Sequence, residues 1–101
     1  MDTVTDAHVR ARDIVAEYQH DPSKALREAL ATLAHEQWSG WMDYLFQFIS
    51  VDINGRWVLD RQKAERWNRQ RRTPYIELSE REKESDRIEA DKVLALMAAM
   101  E

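Results

Sequence analysis

Two stretches carry side chains whose types and spacing could do chemistry. His35-Glu36-Gln37-Trp38 sets an imidazole beside a carboxylate, and Pro74 to Arg87 crowds Tyr75, Glu77, Glu82, Lys83, Asp86 and Arg87 around a helix start. Adjacent positions on a helix point in different directions, so His35 and Glu36 do not form a ready acid–base pair. Position 39 is serine, which rules out the HExxH zinc pattern, and His8 and His20 lie in other segments. His35 therefore reads as a structural or ligand-contacting histidine. Four tryptophans, Trp38, Trp41, Trp57 and Trp67, are many for 101 residues. They either fill a small core or line an aromatic pocket that stacks a planar ligand, and exposure separates the two. No nucleophile elbow, phosphate loop, paired catalytic carboxylates or Ser-His-Asp set is present, so the chain reads as a non-enzyme with no cofactor.

The chain length suits one domain with a modest core. Hydrophobic residues at 44% and charged residues at 34% describe a globular chain. Without cysteine there is no thiolate chemistry, disulfide or cysteine-ligated zinc. No apolar run reaches the roughly 20 residues of a membrane span, and Met1 to Thr5 lacks the pattern of a secretory signal. The expected location is cytoplasmic. A net charge of −4 argues against nucleic acid as the main partner. Charge is uneven, however. Residues 60–72 hold six basic and two acidic side chains, and residues 77–92 hold seven acidic and four basic. The basic run Arg61, Lys63, Arg66, Arg69, Arg71, Arg72 reads mainly as a solvated face, with one or two arginines left to reach a phosphate.

These groups need elements to position them. Apolar residues at Ala7, Ala11, Ile14, Val15 and Tyr18 give a helix over Asp6 to Gln19 with Thr5 as N-cap. Asp21-Pro22 starts a second, longer helix. Its stripe is Leu26, Leu30, Leu33, Gln37, Trp41, Leu45 and Phe48, widened by Ala25, Ala29 and Ala34. Gly40 is either a close-approach point or a tolerated surface glycine. Val51-Asp52-Ile53, Asn54-Gly55 and Trp57-Val58-Leu59 read as a hairpin with a type I′ turn, or as an irregular loop. Asp60 caps a third helix ending near Arg72, with Glu65 and Arg69 in the favourable i,i+4 order. Thr73-Pro74 stops it. Ser79-x-x-Glu82 is a capping box that opens the last helix near Glu80. The fold expected is mainly α: a small domain of about four helices, with a short β-hairpin or loop between the second and third.

His35-Glu36-x-Trp38 followed by Pro74-Tyr75-x-x-Leu78-x-x-x-Glu82-Lys83-x-x-Asp86-Arg87 resembles the ryanodine-receptor-type (RyR) domain. Trp67-x-Arg69-Gln70-x-x-Thr73 ahead of it looks like the small phage and prophage versions. The likeness covers roughly residues 33–97; a Gly-Trp-x-Tyr-Gly-like motif typical of the channel repeats is missing from Ile49 to Leu59. It implies an N-terminal helical extension over residues 1–24 and a RyR-like domain over 25–101. It also implies a non-catalytic, small-ligand role near nucleotide signalling and antiviral defence. On that basis His35, Trp38, Trp67, Tyr75, Lys83, Asp86 and Arg87 would line a pocket between the two motif helices. Aromatic rings would stack a nucleotide-like molecule, and Lys83 or Arg87 would meet its anionic group. The alternative is a protein-interaction module, such as a small phage inhibitor of a host defence complex, or a homodimer. It is suggested by the extra N-terminal helix with Ile14, Val15 and Tyr18.

Overall fold

A computed structural model of the chain describes residues 3–18, 20 and 22–101, and their side chains apart from those of residues 3–5, 22 and 23. It contains α1 (Thr3–Glu17), α2 (Pro22–Phe46), β1 (Ile49–Val51), β2 (Trp57–Leu59), α3 (Arg61–Arg71), a 3-10 turn (Tyr75–Glu77) and α4 (Glu80–Ala99). The mainly helical fold, with a two-stranded hairpin between the second and third helices, is as the sequence predicts. Helix α1 already includes Thr5, so that residue is not its N-cap. The expected cap at Asp21 lies outside the described residues.

Helices α1, α2 and α4 form the body. Tyr18 meets Thr32 and Arg10 meets Glu36, which sets α1 antiparallel to α2. The Gln37 amide donates to the Glu89 backbone carbonyl and carboxylate of α4, 3.2 and 3.1 Å away. The core is Ala11 and Ile14 of α1, Ala29 and Leu33 of α2, and Ala95 and Leu96 of α4. Helix α1, outside the span of the RyR resemblance, thus contributes a third of the core cluster. On α2 the buried line is Ala25, Ala29, Leu33, whereas Leu26 and Leu30 are exposed. The stripe read from the sequence ran through Leu26, Leu30 and Leu33 with Ala25, Ala29 and Ala34 at its side, and of these leucines only Leu33 is buried. Burial instead follows Ala25 and Ala29 beside them, because small side chains let helix backbones approach closely.

The hairpin pairs Ile49 with Leu59, Ser50 with Val58 and Val51 with Trp57. Its first strand begins earlier than Val51, its second is Trp57–Leu59 as expected, and its turn differs from the type I′ expected. Gly55 alone has positive φ, at 77°, while Asn54 does not, and a type I′ turn needs both. The Gly55 N–H donates to the Asp52 carbonyl, and the Asn54 and Arg56 N–H groups donate to Asp52 Oδ1, each at 2.8 Å. Asp52 therefore fixes a three-residue loop with glycine in the left-handed position.

Helix α3 buries no side chain and stands apart from the body. Asp60 caps it by accepting from the Lys63 N–H at 3.0 Å. The expected Glu65–Arg69 pair is replaced by two others. Arg61 takes Glu65 at 3.0 Å, and Arg69 reaches Glu82 at 2.9 Å on α4, a carboxylate already fixed by its capping role. The molecule is extended, 51 × 35 × 28 Å with a radius of gyration of 17.1 Å, where a compact chain of this length gives about 13 Å.

Candidate functional site

The capping box at the start of α4 organises the region. The Glu82 N–H donates to Ser79 Oγ at 3.2 Å, and the Ser79 N–H and hydroxyl donate to Glu82 Oε1 at 3.3 and 2.8 Å. Glu82 is buried. The Ser79 hydroxyl, then the Arg69 guanidinium, hold its carboxyl below the usual range. This ties α3 to α4 and aims the link between them, Thr73 to Leu78, across the end of α2.

A cleft of about 360 Å³ opens there, lined by Trp41 of α2, Trp67, Gln70 and Arg71 of α3, Thr73, Tyr75 and Leu78 of the link, and Asp86 of α4. Trp67 is seated by Tyr44 and Phe48, whose ring centroids each lie 5.9 Å from its own. Trp41 packs edge-on against Tyr44 at 6.4 Å. Trp41 and Tyr75 are 41% and 48% exposed, and Trp67 is half-buried. All three rings are thus part-exposed at the cleft. Asp86 has no ion-pair partner among the described residues, although Glu80, Glu82, Glu84 and Glu89 around it are all paired. Arg71 gives its Nε–H to Asn68 Oδ1 at 2.9 Å and has its other N–H groups to spare.

Of the seven residues read from the sequence, Trp67, Tyr75 and Asp86 line the cleft. Lys83 stands beside it, with Nζ 6.0 Å from the Tyr75 ring centre and 3.4 Å from Glu80. Arg87 bonds Glu80 at 3.2 Å and Glu84 at 3.4 Å. Glu80, followed by the Tyr75 hydroxyl and Glu84, raises its pKa further. Both cations are therefore already matched by carboxylates. His35 and Trp38 stack on each other at 6.0 Å, six and three residues before the cleft residue Trp41, and do not line the cleft. Trp41, Gln70, Arg71, Thr73 and Leu78 line the cleft without having been among those seven; Gln70, Thr73 and Leu78 stand in the RyR-like motif, Trp41 and Arg71 outside it. Trp41 was visible as a stripe member and Arg71 as part of the basic run, but only the fold of the link brings them together.

A second, wider cleft of about 730 Å³ runs between α1, α2 and α4. Ala7, Ala11, Ile14, Leu33, Ile88 and Ala95 floor it, and Arg10–Glu36 and Lys92–Glu89 pairs mark its rim. Small residues leave this gap between the helices; His8 is the one ring-bearing residue of its lining, and no tryptophan, tyrosine or phenylalanine lines it. No helix of the described residues is long and apolar enough to cross a membrane. Comparison with known protein families, curated proteins and solved structures finds no match to this chain.

Proposed function

We propose that the chain is a non-catalytic, RyR-type binding domain that holds a nucleotide-like small molecule in the cleft of Trp41, Trp67, Tyr75 and Asp86. The observation that carries this reading is a half-open space lined by three part-free aromatic rings and an unpaired carboxylate. Its volume suits a small ligand, near the lower end of the roughly 300–1,000 Å³ common for such sites. A planar base stacks on the free ring faces, as unsatisfied aromatic faces favour. Asp86 accepts from ring N–H or amino groups, and the Gln70 amide offers both a donor and an acceptor. Arg71, with N–H groups to spare, meets a phosphate; this role passes to it from Lys83 and Arg87, which Glu80 and Glu84 occupy. The domain would then sense or sequester its ligand.

Isothermal titration calorimetry with AMP, GMP, CMP and UMP tests this. One or more should bind, and Trp67→Ala and Tyr75→Ala should each weaken binding at least about fivefold, since a stacked base contributes about 1–3 kcal/mol. Absence of heat with every nucleotide at millimolar concentration, or equal affinity in both variants, overturns the reading.

A further inference from the structure

Asp86 is the one carboxylate lining the aromatic cleft, and Arg71 is the one cation. The two stand on different helices, α4 and α3. Glu80, Glu82, Glu84 and Glu89 on the helix of Asp86 each take a cation, while Asp86 takes none among the described residues. A carboxylate can only accept hydrogen bonds. The ligand edge that meets Asp86 must therefore donate, and a phosphate must lie away from it, toward Arg71. That leaves Asp86 for the base. The three rings do not choose among bases, because every base has a face to stack. Selection falls to the polar groups of the lining.

We propose that the cleft selects guanine, with Asp86 accepting from N1–H and the 2-amino group in a bidentate pair. This rests on the nucleotide reading of the cleft and adds the base that it takes. The pairing edges of the bases decide it. Guanine carries two adjacent donors, N1–H and the 2-amino group, which match the two oxygens of a carboxylate. Adenine and cytosine each set one amino donor beside a ring-nitrogen lone pair. Uracil sets one N–H between two carbonyl oxygens. These three bases turn a lone pair toward one Asp86 oxygen, whereas guanine gives each oxygen an N–H. Charge-assisted bidentate pairs of this kind are the stronger ones. Gln70, on the same lining, supplies an N–H donor for guanine O6.

Calorimetry with GMP, IMP, AMP, CMP and UMP, on the wild-type chain and on Asp86→Ala, reads the result. IMP differs from GMP only by the missing 2-amino group. GMP should bind the wild type at least about fivefold tighter than each of the others, a hydrogen bond to an ionised group being strong but trimmed by solvent at an exposed side chain. In Asp86→Ala the gap between GMP and IMP should close. Asp86 is exposed, so the helical circular dichroism of the variant should match the wild type. Another nucleotide binding the wild type as tightly as GMP overturns the guanine assignment and leaves the nucleotide site standing. So does a gap between GMP and IMP that persists in Asp86→Ala, even if both bind more weakly. If no nucleotide binds at millimolar concentration, the site itself fails and guanine with it.

Discussion

The two glycines predict opposite outcomes from the same substitution, and conformation rather than space decides. A Cβ at either would meet nothing within 4 Å. Gly40 lies inside α2, so Gly40→Ala should stabilise the fold by about 1 kcal/mol through helix propensity. Gly55 sits at φ 77°, and Gly55→Ala should destabilise by about 1–2 kcal/mol, since a Cβ crowds the following carbonyl there. Urea unfolding of the two variants checks both signs. The approach of a neighbour at Gly40, one of the two readings open from the sequence, is not what the structure contains.

Glu82 makes the residue-scale prediction for pH. Its carboxyl is held below the usual range by Ser79 and Arg69. A depressed folded-state pKa contributes stability above the unfolded-state value, about 4.3, and loses it as pH falls through the lower folded value. Thermal midpoints should therefore drop between pH 5 and pH 3, and Glu82→Gln should shrink that drop. An equal drop in the variant would assign acid sensitivity to other carboxylates.

At the scale of elements, what local chemistry dictates was legible and what tertiary packing dictates was not. The capping box Ser79-x-x-Glu82, the Asp60 cap and the Thr73-Pro74 stop are written in short spans, and each ends or begins an element where expected. Ser79→Ala should cost about 1 kcal/mol by leaving N-terminal amides of α4 without their acceptor. The hairpin turn was misread because Asn54-Gly55 carries a type I′ signature, while the Asp52 carboxylate two residues earlier offers the backbone a better set of acceptors. The stripe read on α2 contained its buried residues Ala25, Ala29 and Leu33 but was too wide, since Leu26, Leu30 and Ala34 are exposed. Periodicity cannot tell Leu26 and Leu30 from Ala25 and Ala29, and the choice is made by α1 and α4 packing on the alanines. Leu96, fully buried where all three helices meet, is the test of that core. Leu96→Ala should cost about 2–5 kcal/mol, whereas Leu26→Ala, on an exposed site, should change stability by less than about 0.5 kcal/mol.

At the scale of the whole molecule, two regions of unequal firmness are joined end to end. The body of α1, α2 and α4 owns the core, while the hairpin and α3 are held by aromatic stacking on Phe48 and Trp67 and by the Arg69–Glu82 bridge. The cleft forms where the two regions meet, which is why its lining is drawn from residues 41 to 86 and why no single motif described it. Trp67, Tyr75 and Asp86 were legible because they belong to one contiguous pattern. His35 and Trp38 belong to the same pattern but point off another part of α2, stacked on each other.

The four indole N–H groups report directly on the central claim, because two tryptophans line the cleft and two do not. In a nitrogen-15 correlation spectrum each gives its own signal, assignable by single Trp→Phe substitutions. Titration with the nucleotide that binds best should shift Trp41 and Trp67 and leave Trp38 and Trp57 in place. Four unmoved signals at saturating nucleotide, or shifts confined to Trp38 or Trp57, would contradict a ligand site in this cleft.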